Sequence, residues 1–89
     1  MQITIDCSTI TDRAEFHRVF ASRLRLPGYY GNNLDALYDC LTSMPGKTTL
    51  TLQHMQCLID NLGSYGRAAI NMMLTAEREN PERLAVIVR

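Results

Sequence analysis

Apolar residues recur along this chain with two different periods. Gln2–Asp6 alternates Ile3 and Ile5 with polar neighbours, the two-residue period of a short strand. Phe16, Val19, Phe20 and Leu24 recur at helical spacing behind a D-x-x-E pattern, Asp12 with Glu15, that suits a helix N-terminus. Pro27–Gly28 stops that helix and opens a loop. A second helix is predicted from about Leu34 to Thr42, capped by Asn32 or Asn33 and ended by Met44-Pro45-Gly46. The alternating, β-branched stretch TTLTL at 48–52 reads as a second strand. Met55, Leu58, Ile59 and Leu62 give a short third helix, for which Gly63 is a left-handed cap. After Ser64, Ala69, Ile70, Met73 and Leu74 form the inner stripe of a fourth helix, roughly Tyr65 to Glu79, closed by Asn80-Pro81. The run LAVIV at 84–88 is continuously apolar, as in a strand covered on both faces.

The resulting order, β-α-α-β-α-α-β, places helical crossovers between successive strands. That order favours an α/β fold with a three-stranded parallel sheet packed with four helices. At 89 residues the chain has the length of one domain spanning 1–89, with no repeat or low-complexity segment. Such a chain buries roughly 60–65% of its unfolded surface, enough for a two-layer core without a deep cleft. Nine basic residues balance nine acidic ones, so nothing suggests general affinity for nucleic acid. MQITIDCSTI lacks the basic and apolar regions of a signal peptide, and no apolar run reaches membrane-spanning length. A cytoplasmic protein is the expectation. Cys7, Cys40 and Cys57 are odd in number and lack metal-site spacing, so neither a disulfide framework nor a zinc site is expected.

Charge becomes informative in the stretch LPGYYGNNLDALYDCL at 26–41. Basic residues gather in and just after the first helix (Arg13, Arg18, Arg23, Arg25), and none occurs between Arg25 and Lys47. On a helical wheel Leu34, Leu37 and Leu41 share the core face. Asp35, Asp39 and Thr42 lie opposite, with Tyr38 on the flank. Two acids one helical turn apart cost a helix roughly 0.2–0.5 kcal/mol. Asp35 recovers stability from the macrodipole of the first turn; Asp39 lies beyond its reach. Tyr29 and Tyr30 precede this helix, at least one of them packing on the core. Gly31 offers either a positive φ or room for a partner backbone. Such an acid pair taken alone reads as a solvated helix face; together with the tyrosines and the lack of bases on one exposed edge it resembles a recognition surface for a basic partner. A groove built to bind phosphates meets that requirement, the carboxylates standing in for phosphates. Paired acids could also serve a small hydrolase or hold a cation. No accompanying His, Lys or metal-binding pattern supports that use, and no phosphate loop or nucleophile motif occurs.

The 17 residues LPGYYGNNLDALYDCLT closely resemble the LP-x-YYG-x-NLDALWDCLT segment of the barstar family. Length, element order and the terminal apolar strand extend the likeness along the chain. The resemblance implies a barstar-like fold and a non-enzymatic inhibitor of a barnase-like ribonuclease, bound one to one, with no cofactor, metal, membrane or direct nucleic-acid partner. It implies that Tyr29, Gly31, Asn33, Asp35, Tyr38, Asp39 and Thr42 contact the enzyme, Asp39 sitting in the phosphate-binding centre. An immunity module neutralising a different basic nuclease or toxin is the alternative. Three positions depart from the family pattern: Tyr38 stands at a tryptophan position, Met44 at another aromatic, and Ala76, beside Glu77, at a glutamate.

Overall fold

The computed structural model describes residues 1–89. Its elements are β1 (Gln2–Asp6), α1 (Arg13–Leu24), α2 (Leu34–Ser43), β2 (Thr48–Gln53), α3 (Gln56–Leu62), α4 (Ser64–Glu79) and β3 (Leu84–Val88), with a single 3-10 turn at Cys7–Thr9. The sheet is parallel throughout, in the order β1-β2-β3, with Ile3 opposite Leu50 and Leu50 opposite Val86. The four helices and three-stranded parallel sheet are those the hydrophobic periods predict.

Because each crossover moves one strand in the same direction, helices of the usual hand fall on one face of the sheet. Burial follows: Ile5, Thr48, Leu50, Leu52 and Leu84 are covered, while Thr4, Gln53 and Ile87 are exposed. The apolar run at 84–88 is therefore not covered on both faces. β3 is an edge strand of a one-sided sheet, and Ile87 and Val88 are exposed. Seventeen residues form the core, with Phe16, Phe20, Leu37, Leu41, Leu58 and Met73 supplying the helical side. The hydroxyl of Thr48 is the one buried side-chain polar atom without a partner.

Charged side chains from the helices close both outer strands. The Arg23 guanidinium of α1 donates to the Thr4 carbonyl through Nε (3.2 Å) and Nη2 (3.0 Å). Glu77 of α4 accepts the Val86 N–H of β3 at 2.7 Å.

Helix ends account for several loop residues. Asp12 caps α1 by accepting the Glu15 N–H at 2.8 Å, but Glu15 turns to Arg18 instead of closing a reciprocal box. Gly63 has the positive φ expected of it (60°), yet its ψ of −128° is not that of a left-handed helix. It joins α3 directly to α4, and Ser64 is the first residue of α4, not its leader. Gly66 then carries α4 across α3: a Cβ there would lie 2.1 Å from the Leu58 carbonyl oxygen.

Candidate functional site: the loop–helix edge

Residues 28–33 and α2 form one exposed edge. Its local structure rests on Asn33, which has extended backbone and accepts the Ala36 N–H at 2.8 Å, so Asn33 rather than Asn32 is the cap. Such a cap contributes about 1 kcal/mol. The other end of the same amide donates to the Gly31 carbonyl at 3.2 Å. A Cβ on Gly31 would meet the Asn33 Nδ2 at 3.0 Å. Glycine there leaves room for the capping amide. The positive φ in this loop belongs to Asn32 (54°), not Gly31.

Leu37 and Leu41 are buried and Leu34 half-buried, which turns Asp35 and Asp39 to solvent. Neither carboxylate makes an ion pair; the one salt bridge of the chain joins Arg18 to Glu15. Asp35 lies in the first turn of α2, with the dipole in its favour. Asp39 lies past the middle of a helix that has no basic residue in its last turn. Thr42 is half-buried and donates back to the Tyr38 carbonyl at 2.9 Å, and Ser43 to the Asp39 carbonyl at 2.6 Å. The Thr42 hydroxyl thus serves its own helix.

The two tyrosines of the loop divide the work. Tyr29 is 89% exposed, while Tyr30 is 9% exposed and belongs to the core. The Tyr30 hydroxyl is 2.6 Å from Nδ1 of His17, and Nε2 of His17 is 2.6 Å from the Tyr65 hydroxyl. A neutral imidazole donates through one nitrogen and accepts through the other, so it serves one hydroxyl on each side. This chain of rings fastens the loop to α1 and α4. Phe16 stacks edge-on against His17 and Tyr65. Sequence spacing gave His17 no partner, because both lie far along the chain.

Burial, reinforced by the Arg13 charge, holds the His17 imidazole below its ordinary pKa of 6.5, and burial raises the phenols of Tyr30 and Tyr65. With the folded value depressed, the unfolded chain takes up its proton first as pH falls. Stability contributed by His17 is therefore complete above about pH 6.5 and declines as pH drops from there toward the folded value. Urea midpoints measured from pH 7.5 to 5 should fall, and His17→Gln should flatten that slope; an equally steep slope in the variant would exclude His17 as its source.

Tyr38 is half-buried on the flank and its hydroxyl donates to Glu79 of α4 at 2.5 Å, which raises its phenol pKa. Ala76 is fully buried, and Glu77 is engaged with β3. Glu77 is thus occupied within the fold, and the α4 acid that meets α2 is Glu79.

Two open grooves flank the edge. One, of about 690 Å³, is lined by Arg13, Arg18, Tyr65, Asn32, Asn33 and Asp35 among others. The other runs between Arg25, Tyr29, Asp39, Cys40 and Met44. The bases missing from the 26–46 segment are thus brought alongside it by α1 and its C-terminal cap. No spacing rule could have found this. Neither groove is an enclosed catalytic cavity, and no three His, Cys, Asp or Glu side chains converge as metal ligands. No helix is long and apolar enough to cross a membrane.

The fold is a small parallel α/β unit that presents Asp35, Asp39 and Tyr29 on one exposed loop–helix edge, with Tyr30 anchoring the loop from behind. The chain belongs to the Barstar (barnase inhibitor) family, whose model matches residues 1–89. It is also similar to "Putative ribonuclease inhibitor YrdF" of Bacillus subtilis (strain 168), with 32% identity over 88 residues, 98% of this chain and 97% of that protein.

Proposed function

We propose that this protein inhibits a barnase-like ribonuclease by inserting the loop 28–33 and α2 into its active site as a one-to-one complex. The observation that carries the reading is the outward pair Asp35 and Asp39, held on a capped helix and left without an ion pair of their own. A ribonuclease cleft binds phosphates with basic groups, and two carboxylates one helical turn apart offer that cleft negative charge at defined positions. Tyr29, exposed on a loop held through Tyr30, supplies an aromatic contact beside them. Gly31 and Asn33 set the loop's shape, Tyr38 forms the flank, and Thr42 closes the helix end. The protein acts by occlusion and performs no catalysis. A cytoplasmic inhibitor of this kind would guard the cell that makes the enzyme.

The test is a titration of a barnase-type ribonuclease with the purified chain. Activity is expected to fall linearly and vanish at one molar equivalent. Full turnover in molar excess of the chain would sink the proposal. One observation favours a second target class: the hydroxyl of Tyr38 is committed to Glu79 where the family pattern has tryptophan. That altered flank suits a different basic nuclease or toxin, and the same titration run on such an enzyme separates the two.

A further inference from the structure

We infer that the groove between α1 and the α2 loop is a second recognition element, in which Arg13 receives a carboxylate from the partner enzyme. The inference rests on the inhibitor reading above and extends it to partner selection. Arg13 is the first residue of α1 and is exposed. Its guanidinium lies 4.1 Å from the centre of the Tyr65 ring, a cation–π contact that fixes its position without using its N–H donors. Arg13 makes no ion pair and no side-chain hydrogen bond, whereas Arg18, in the same groove, is already paired with Glu15. A positioned guanidinium with free donors is suited to a planar carboxylate.

Asp35 lines this groove with Arg13. The edge therefore presents a base beside an acid rather than an unbroken acidic strip. A partner that satisfies both carries the inverse arrangement, an acidic side chain on the rim next to the basic cleft that receives Asp35. Such an arrangement discriminates among basic enzymes, since one lacking the rim carboxylate, or bearing a base there, leaves Arg13 unpaired or repelled. Tyr65 links the groove to the loop, because it also holds His17 and through it Tyr30.

Charge steering and this contact predict opposite signs. If Arg13 acted only through net charge, Arg13→Glu would make the chain more acidic and tighten its binding to a basic ribonuclease. The proposed contact predicts weakening. The experiment measures the affinity of a barnase-type ribonuclease, inactivated at its catalytic base, for the wild-type chain, Arg13→Glu, Asp39→Ala and Arg67→Glu. Arg67 lines a separate groove beside Met55 and controls for the same change in net charge. A glutamate at the first position of α1 suits the helix dipole, and thermal melting checks the fold. Should Arg13→Glu not fold, Arg13→Gln, which keeps the size without the charge, takes its place.

Arg13→Glu is expected to bind roughly tenfold more weakly or worse, Arg67→Glu as tightly as wild type or tighter. Lysine in place of the facing rim carboxylate of the enzyme restores binding to Arg13→Glu. Loss of binding in Asp39→Ala with Arg13→Glu at or above the affinity of Arg67→Glu overturns the inference and leaves the inhibitor reading standing. No binding by the wild-type chain removes both.

Discussion

Asp39→Ala is expected to weaken binding to a barnase-type ribonuclease by about 3–5 kcal/mol, at least a hundredfold, measured by calorimetry or inhibition kinetics. The size follows from where the carboxylate goes. In the free chain Asp39 faces water and makes no ion pair, so its removal costs the fold little. In the proposed complex it is enclosed among the enzyme's phosphate-binding bases, and truncation leaves those bases buried without an anion. The free chain should respond in the opposite sense. Relief of the Asp35–Asp39 repulsion is worth roughly 0.2–0.5 kcal/mol, so the variant should unfold at the same or slightly higher urea concentration. Unchanged affinity would remove α2 from the interface. The contribution of electrostatic steering should appear separately, as an association rate that falls with salt.

Gly66→Ala is expected to have the largest effect on stability, a loss of about 3 kcal/mol or more seen as a lower urea midpoint. The added Cβ would lie 2.1 Å from the oxygen and 2.5 Å from the carbon of the Leu58 carbonyl. Both are backbone atoms in α3, so no rotamer change relieves the contact and the two helices must separate. Leu58, Ala69 and Met73, all buried, would separate with them. Alanine is otherwise favoured over glycine within a helix by about 1 kcal/mol. A stabilised Gly66→Ala would therefore show that α3 and α4 do not approach as closely as described.

These residues also show how far the sequence could be read. Elements followed from period: Ile3 and Ile5 marked a strand, and Phe16, Phe20 and Leu24 a helix, with ends within a residue or two of those observed. The outward direction of Asp35 and Asp39 followed from Leu37 and Leu41, because the wheel leaves no other place for them. Periodicity fails where a strand's environment depends on its place in the sheet. LAVIV reads as a strand covered on both faces, yet it lies at the edge of a one-sided sheet, where only Leu84 is buried. It fails again wherever the partner is distant in sequence. His17 with Tyr30 and Tyr65, Arg13 with Tyr65, and Tyr38 with Glu79 are products of the tertiary fold, and no local spacing announces them. Gly66 likewise lies inside the fourth helix's pattern, and its close approach to the Leu58 carbonyl is visible only in the packed structure.

Three strands are few, and both outer ones carry unpaired backbone that a second chain could extend. Arg23 and Glu77 occupy that backbone with opposite charges, one at each margin of the sheet. A copy approaching either margin must first displace an ion from a site it already fills, and the newcomer brings only a neutral peptide group in exchange. Strand-by-strand association of this chain with itself is thereby opposed at both margins by a charge already in place.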